Sequence, residues 1–304
     1  MSCDTFIFGG TGLLGTNWIL NNSSKKNYAV SSHKRNLILD NVSTFKEKKL
    51  TEQRINLILD KVNPKKIINL IGMTNIEDCE KNQEEAFFTN VEIPKYIAKA
   101  ALIRRIKFIH ISTDHLFDGR KEIYTEECAT SPLNFYGKTK ALAEEEILKV
   151  NSNSLIIRSN FYCWGPRYRQ SFSDFIYENL LAHKSIKLFK DIFYTPIKAK
   201  ELIKIVLKLE NINASGIYNI ASSEITTKYD FGLQLAEIFN LKKNLIVASS
   251  INSRKDLILR PKNMCLSNSK IISELNISIH SLEESLIDLK LELDSKYYLQ
   301  LQTL

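Results

Sequence analysis

The chain begins with a short apolar strand, a glycine-rich turn and a helix, an order of elements that few folds share. Four of its ten glycines lie in the run Phe8-Gly9-Gly10-Thr11-Gly12-Leu13-Leu14-Gly15. Glycine permits a tight turn and lets the backbone approach a ligand closely, while the N-terminus of the next helix attracts an anion. This G-x-x-G-x-x-G pattern at the first strand–helix junction predicts a site for the pyrophosphate of a dinucleotide.

The composition is that of a folded globular protein. Of the 304 residues, 44% are hydrophobic and 25% are charged, which excludes a disordered or collagen-like chain. The five cysteines are scattered, odd in number and without a C-x-x-C pair, so we expect reduced thiols and neither disulfides nor a zinc site. We predict a cytoplasmic protein that has no membrane partner and uses no metal in its chemistry.

Positive charge is concentrated directly after the glycine turn. The net charge is +8, and residues 21–70 hold eleven Lys or Arg against four Asp or Glu. Such a run is either a solvated surface or the binding site of an anionic small molecule. No basic helix with interleaved aromatic residues is present, so we predict no nucleic-acid partner.

Short apolar strands alternate with helices over the first 160 residues. Strands are predicted at 5–8, 28–31, 66–71, 107–112 and 155–159, and helices at 13–21, 51–62, 83–104 (interrupted at Pro94) and 135–150. This alternation is typical of crossover connections and a parallel sheet. We therefore predict the α/β class, with a doubly wound parallel sheet (a Rossmann fold).

After Tyr162, the alternation of short apolar strands with helices is less regular. Helices are predicted at 171–183, 199–209, 229–239 and 281–301, and a strand at 217–220. We predict a dinucleotide-binding Rossmann domain from residues 1–163 plus about 193–220. A smaller α+β lobe, from about 164–192 plus 221–304, would bind the substrate.

The residues after the second strand indicate which dinucleotide binds. An NAD site places Asp or Glu about 20 residues beyond the glycine turn, where it binds the ribose 2′-hydroxyl. This chain has His33, Lys34 and Arg35 there. A carboxylate would repel a 2′-phosphate, whereas Arg binds it bidentately. We predict NADP(H) as cofactor, with NAD(H) less favoured and a solvated basic face as the alternative.

Tyr136 and Lys140 are spaced by four residues, which places them on one face of a helix. About one such pair arises by chance in a chain of this composition, so spacing alone decides nothing. The other pair, Tyr194 and Lys198, contains Pro196 and is disfavoured in a helix. Tyr136 and Lys140 begin a regular helix and follow a strand end, where ligands bind in parallel sheets.

These two residues and Thr113 form a coherent set for carbonyl reduction. A neutral Tyr136 would donate its phenolic proton to a carbonyl oxygen as hydride reaches the carbon. Lys140, kept positive, would lower the phenol pKa and hold the nicotinamide ribose. Thr113 would hydrogen-bond the same oxygen and orient it.

With these residues in place, the chain resembles the extended short-chain dehydrogenase/reductases. It is most similar to the dTDP-4-dehydrorhamnose reductase-like nucleotide-sugar 4-ketoreductases, and the resemblance covers almost the whole chain. It is carried by Gly9–Gly15, Ile68-Asn69-Leu70-Ile71-Gly72, Asn90, the run Ile111-Ser112-Thr113-Asp114-His115-Leu116-Phe117-Asp118-Gly119, Tyr124-Thr125-Glu126-Glu127, Pro132-Leu133-Asn134-Phe135-Tyr136-Gly137-Lys138, Ile157-Arg158-Ser159 and Arg260-Pro261.

The resemblance implies roles for individual residues. Thr113, Tyr136 and Lys140 would form the catalytic triad. Besides Tyr136, Lys140 and the basic residues 33–35, the predicted cofactor contacts are Gly9, Thr11, Gly12, Leu13, Leu14, Leu70, Ile71, Gly72, Asn90 and Arg158. The predicted substrate contacts are Met73, Thr74, Asp114, His115, Asn160, Trp164 and Arg260, of which Arg260 would contact the nucleotide diphosphate.

Some of these residues have a second interpretation. His115 is either a substrate contact or a structural hydrogen-bonding group, and Trp164 is either a platform for the substrate or part of the core. Asp114 and Asp118 carry carboxylates of the kind that bind a metal, but isolated carboxylates in a loop more often cap turns. In addition, Lys49-Leu50-Thr51 stands where relatives commonly carry Asp near the adenine, so the adenine contacts differ here.

Two positions differ from the residues of related families and disfavour two other activities of the same fold. His115 replaces the third residue of the Thr-Asp-Glu run of 4,6-dehydratases, and no acidic residue follows the second strand as in NAD-dependent 4-epimerases. The resemblance implies an NADPH-dependent reductase of a nucleotide-linked 4-keto-6-deoxysugar, acting at C4 for surface polysaccharide synthesis. An epimerase or dehydratase of the same fold and a non-catalytic NADP-binding regulatory subunit remain alternatives. A homodimer is compatible with the family.

Overall fold

The computed structural model describes residues 3–22 and 27–304, and Lys25 and Lys26 of the basic stretch lie outside them. The strands are β1 (Thr5–Phe8), β2 (Tyr28–Ser32), β3 (Val42–Lys46), β4 (Lys66–Asn69), β5 (Lys107–Ile111), β6 (Leu155–Arg158), β7 (Phe161–Tyr162), β8 (Ile186–Phe189), β9 (Phe193–Tyr194), β10 (Ile197–Lys198), β11 (Gly216–Asn219), β12 (Thr226–Thr227) and β13 (Ile246–Ser249). The helices are α1 (Leu13–Asn22), α2 (Glu52–Val62), α3 (Ile76–Lys81), α4 (Gln83–Phe87), α5 (Ile93–Arg104), α6 (Phe135–Val150), α7 (Phe172–Leu181), α8 (Ala199–Asn211), α9 (Lys228–Ile238), α10 (Ser269–Leu275), α11 (Leu282–Leu291) and α12 (Lys296–Thr303).

A central parallel sheet organises the described part of the chain. Its seven strands lie in the order β11-β6-β5-β4-β1-β2-β3, and Thr5 of β1 pairs with Tyr28 on one side and Lys66 on the other. The chain runs outward from β1 to β3, then crosses to β4 and continues outward to β11. This confirms the predicted doubly wound Rossmann fold. The carboxyl ends of β1 and β4 flank the point where strand order reverses, which is where such folds bind ligands.

Both faces of the sheet are buried under helices. Ile7 and Ile109 point to one face and pack with Trp18 of α1 and Val206 of α8. Residues next to them in the strands, such as Phe6, point to the opposite face and pack beneath α2 and α5. Because successive side chains alternate between faces, a strand buried on both faces reads as a continuous apolar run, as these strands do.

The C-terminal part has a hydrophobic core of its own. Trp164, Phe231 and Leu286 pack there with side chains from α7, β8 and α12. Two-stranded pairings, β8 with β13 and β9 with β12, support this core. Ile271 of α10 packs instead in the core of the central sheet. The predicted boundaries between the two lobes stay a prediction.

The edge of the sheet, the helix at Pro94 and the C-terminal helix differ from the sequence-based expectation. The edge strand β3 was not predicted, because its residues alternate between half-buried and exposed positions and resemble a polar loop. The break at Pro94 is absent, since a π-helical turn at Phe88–Glu92 lets the proline fall in the first turn of α5. The single helix predicted at 281–301 is wrong: the backbone is extended at Ser295, whose side chain caps a separate helix, α12.

None of the helices in the described ranges is long and apolar enough to span a bilayer.

Candidate active site

A cavity of about 1040 Å³ runs along the carboxyl ends of the central strands. The glycine turn lies at one end, and Thr113, Tyr136 and Lys140 lie at the other. Residues that follow β4 and β6 also line the cavity, namely Leu70, Ile71, Gly72, Met73, Thr74, Ser159, Asn160 and Phe161. The fold therefore brings most of the predicted contacts to a single cavity.

The glycine turn is held tightly against β2. Gly9 has a φ of +82°, which favours glycine, and its backbone N–H donates to Oγ of Ser31 at 3.1 Å. A Cβ at Gly10 would lie 2.4 Å from Cβ of Val30, so only glycine fits there. Thr11, Gly12, Leu13 and Leu14 then line the cavity at the start of α1. This geometry presents the helix N-terminus to an anionic ligand.

Basic side chains surround this end of the cavity. His33, Lys48, Lys49 and Arg169 line it, whereas Lys34 and Arg35 lie outside its lining. The guanidinium of Arg35 is 4.3 Å from the ring centroid of Tyr168. Tyr168 in turn donates its hydroxyl hydrogen to the backbone oxygen of Thr11 at 3.0 Å. The side chain of Tyr168 therefore links the guanidinium of Arg35 to the backbone of the glycine turn.

These residues fit the pyrophosphate of a dinucleotide. The cradle at Gly9 and Gly10 leaves the backbone open to a pyrophosphate, and the cations of Lys48, Lys49 and Arg169 would balance its charge. Ser32 lines the same cavity, and its buried Oγ has no protein partner, so it is free to bind a sugar hydroxyl. Glu47 also faces the cavity, but Arg54 engages its carboxylate at 2.7 Å.

The start of α6 places the buried Tyr136 in the lining of the cavity. Asn134 caps this helix by accepting from the backbone N–H of Gly137 at 2.9 Å, which puts Tyr136 in its first turn. Burial raises the pKa of the Tyr136 phenol, and a hydrogen bond with Thr113 lowers it by less. This direction is opposite to the lowering that we predicted from Lys140. Tyr136 is therefore a neutral phenol, the form that can donate a proton.

Lys140 lies one turn further along α6 and is buried. Its Nζ donates to the carbonyl oxygen of Ile111 at 2.9 Å and lies 3.1 Å from Nε2 of His110. Burial lowers the pKa of Lys140 to about 8, although the charge of Glu144 opposes the change. The side chain of Lys140 therefore changes from a charged ammonium to a neutral amine near pH 8.

Three predicted contacts are corrected by the structure. Arg158 is 3% exposed and turned away from the cavity, where two of its nitrogens donate to the buried carboxylate of Glu144. Trp164 is fully buried in the C-terminal core, and its indole N–H donates to the backbone oxygen of Leu289. Neither side chain can reach a ligand in the cavity.

Asn90 is the third correction. Its fully buried amide accepts from the N–H of Met73 at 2.8 Å and donates to the carbonyl oxygen of the same residue at 3.0 Å. A further hydrogen bond joins it to Oγ1 of Thr139. Asn90 therefore positions the segment after β4 rather than touching the cofactor.

A second cavity of about 280 Å³ opens beside His115, which lines both cavities. Its walls include the rings of Phe172, Phe175 and Phe189 together with the cations Lys228 and Arg260. His115 Nδ1 and Arg260 Nε are buried without protein partners, and Arg260 also pairs with Glu77. Asp114 lines only the first cavity, where it accepts from Asn160 at 2.7 Å.

Several residues of these cavities were missed from the sequence. Lys48 and Lys49 belong to the predicted basic stretch, yet their role depends on the unpredicted strand β3. Arg169 and Lys228 carry no local motif and reach the cavities only through folding of the C-terminal part. Burial lowers the pKa of Lys228 to about 8, and its ammonium lies 3.4 Å from the ring centroid of Tyr194. In the described ranges, no group of three His, Cys, Asp or Glu could hold a metal ion.

Comparison with known proteins agrees with this geometry. The profile of the family described as RmlD substrate binding domain matches residues 3–294. The chain belongs to the RmlD family. This confirms the predicted resemblance and places the chain among NAD(P)-dependent oxidoreductases of the extended short-chain type.

Individual RmlD relatives cover most of the chain. A protein named probable low-salt glycan biosynthesis reductase Agl14, from Haloferax volcanii, is 30% identical over 293 residues, 94% of this chain and 96% of that protein. A dTDP-4-dehydrorhamnose reductase from Aggregatibacter actinomycetemcomitans is 27% identical over 226 residues, 70% of this chain and 76% of that protein. The crystal structure of a dTDP-4-dehydrorhamnose reductase from Bacillus anthracis in complex with NADP superposes with a TM-score of 0.81 at 21% identity, covering 95% of this chain and 99% of that one. This likeness shows the fold.

Proposed function

We propose that the protein is an NADPH-dependent reductase of a nucleotide-linked 4-keto-6-deoxysugar. The observation that carries this proposal is the single cavity that joins the glycine turn to Thr113, Tyr136 and Lys140. A dinucleotide whose pyrophosphate lies on the glycine turn can extend along this cavity toward Tyr136. A neutral phenol at that end is suited to carbonyl reduction, because the reaction needs a proton for the oxygen.

The side chains have distinct parts in the proposed reaction. When bound, the nicotinamide supplies the hydride that forms the new C–H bond at C4. Tyr136 gives its phenolic proton to the carbonyl oxygen, which becomes the C4 hydroxyl, and Tyr136 is left as a phenolate. Thr113 orients that oxygen, and the cation of Lys140 stabilises the phenolate.

The nucleotide of the substrate is assigned to the second cavity. Aromatic rings such as Phe172 and Phe189 offer stacking surfaces for a base, while Arg260 and Lys228 offer cations for a diphosphate. His115 lies between this cavity and the reacting centre, so it would face the sugar. On this proposal the product is a precursor for surface polysaccharide, made in the cytoplasm.

Turnover of a defined panel of substrates tests the proposed activity. NADPH oxidation is followed at fixed enzyme concentration with dTDP-, UDP- and GDP-linked 4-keto-6-deoxysugars, and the product is analysed for reduction at C4. We expect turnover with at least one nucleotide. Tight NADPH binding without turnover of any panel member would contradict the reductase and favour a regulatory subunit with the same site.

The preference for NADPH is proposed to depend on Arg35. The ring of Tyr168 holds the guanidinium of Arg35 close to the glycine turn, and Lys48 and Lys49 in the cavity lining add positive charge. We expect Arg35→Met to raise the Kd of NADPH roughly tenfold to a hundredfold, the loss of a charge-assisted hydrogen bond of about 1.5–3 kcal/mol. The Kd of NADH should change less than twofold.

Fluorescence titration with both cofactors measures this difference. Arg120 is a matched control, because its side chain is 88% exposed and pairs with Asp118, whereas Arg35 stacks on the ring that is bonded to the glycine turn. Arg120→Met should leave both dissociation constants unchanged. An equal loss of affinity for NADPH and NADH in Arg35→Met would refute a 2′-phosphate contact.

A further inference from the structure

Lys140 faces a neutral histidine deep in the protein. Its Nζ lies 3.1 Å from Nε2 of His110, a fully buried residue of β5. Burial, reinforced by the charge of Lys140, holds the pKa of His110 well below its ordinary value, so the ring carries one hydrogen. The position of that hydrogen decides whether Lys140 donates to the ring or accepts from it.

In this structure, Asn69 of β4 determines which ring nitrogen of His110 carries the hydrogen. Its Oδ1 accepts from the backbone N–H of Ile71 at 3.1 Å, and its Nδ2 lies 3.0 Å from Nδ1 of His110. Since only an oxygen can accept from the Ile71 N–H, the amide nitrogen must donate to Nδ1. His110 then carries its hydrogen on Nε2, and Lys140 accepts it as a neutral amine.

The charged form of Lys140 requires the reverse arrangement. An ammonium has no lone pair, so it must donate to Nε2 of His110. The ring hydrogen then lies on Nδ1, and Asn69 must turn its amide to present Oδ1 to it. That turn leaves the N–H of Ile71, in the wall of the main cavity, without its acceptor.

The surrounding charges leave both forms accessible. The pKa of Lys140 is about 8, lowered by burial and raised by Glu144. Glu144 itself is engaged by Arg158 of β6 and by Ser112. Two further titratable groups, Asp114 after β5 and Cys79 on α3, raise the pKa of the neighbouring Tyr136 phenol.

We propose that Asn69 and His110 are positioning residues that couple the protonation of Lys140 to the tautomer of a buried imidazole and to the backbone of Ile71. The proposal rests on the proposed reductase site, in which the cation of Lys140 stabilises the Tyr136 phenolate. Protonation of the amine selects the Nδ1–H tautomer and releases the Ile71 N–H into the cavity wall. Loss of the proton selects the Nε2–H tautomer and restores that hydrogen bond.

Nitrogen NMR of the histidine rings tests this coupling in the protein without added cofactor or substrate. The chain has five histidines, and His110→Gln assigns the signal of His110. Between pH 6 and 10 we expect this ring to pass from Nδ1–H to Nε2–H with a midpoint near 8, without forming an imidazolium. The other four rings report any change of the whole fold. A single tautomer across the range would overturn the proposal.

Two variants separate the coupling from a purely structural role. Lys140→Arg is a permanent donor, so His110 should stay in the Nδ1–H form at every pH. Asn69→Asp offers one oxygen to His110 and one to Ile71, so the midpoint should rise by at least one pH unit. An unchanged midpoint in a folded Asn69→Asp protein would contradict the proposal; if that protein does not fold, the native titration and Lys140→Arg decide. Because no turnover is measured, failure of the reductase proposal would be recognised separately.

Discussion

Replacing Tyr136 with phenylalanine should lower kcat by about a hundredfold to ten-thousandfold, the range typical of a lost general acid. The change removes one oxygen and keeps the ring that packs edge-on against His115, with centroids 5.7 Å apart. Because the phenol is neutral, its loss removes a proton donor but no charge. The Kd of NADPH and the thermal unfolding midpoint should therefore be nearly unchanged.

Single-turnover measurement of NADPH oxidation isolates the chemical step for this variant. Tyr96 on α5 serves as a matched control, because it lies outside the lining of both cavities. Tyr96→Phe should retain full activity. If Tyr136→Phe keeps more than a tenth of the native rate, another group donates the proton and the proposed role of Tyr136 is wrong.

Replacing Arg158 with methionine should lower the free energy of unfolding by about 3–5 kcal/mol, because it leaves a buried carboxylate without its cation. Arg158 and Glu144 are each 3% exposed, and the shorter of the bonds between them is 2.7 Å. Ser112 is the other side chain that binds the carboxylate, and one hydroxyl cannot replace a guanidinium.

The double variant Arg158→Met/Glu144→Leu shows whether the loss of stability comes from the unpaired carboxylate of Glu144 or from lost packing around Arg158. Removing both partners of a buried pair is often neutral, so we expect most of the lost stability to return. Urea unfolding followed by circular dichroism measures both variants. A double variant as unstable as Arg158→Met would show that the cost comes from packing around Arg158 and not from the unpaired charge of Glu144.

The fold and one end of the site were predictable because their signals are local. The glycine turn, the apolar strands and the capped helix at Asn134 each depend on residues close together in the sequence. The grouping of Tyr136, Lys140 and Thr113 could also be predicted from the sequence, since strand ends in a parallel sheet meet at one edge. The family resemblance then supplied further residues of the main cavity, such as Leu70, Ile71 and Gly72.

Errors arose where tertiary contacts outweigh local pattern. Arg158 is the last residue of a strand, where a ligand contact is expected, but its partner Glu144 is contributed by another element, α6. Trp164 looks the same in sequence whether it faces a substrate or fills a core. Lys228 and Arg169 reach the cavities through the packing of the C-terminal part, for which the sequence offers few local signals. Burial also reversed the expected pKa shift of Tyr136.

The last helix of the chain is tied to the first turn of the fold. Tyr297 donates to Asn17 of α1, Gln302 donates to the backbone oxygen of Gly165, and Tyr168 continues the connection to Thr11. By thermodynamic linkage, a ligand that tightens the glycine turn also favours docking of α12, and loosening α12 weakens the ligand equally. Helices α1 and α12, which are nearly 300 residues apart in sequence, are therefore coupled beside the glycine turn.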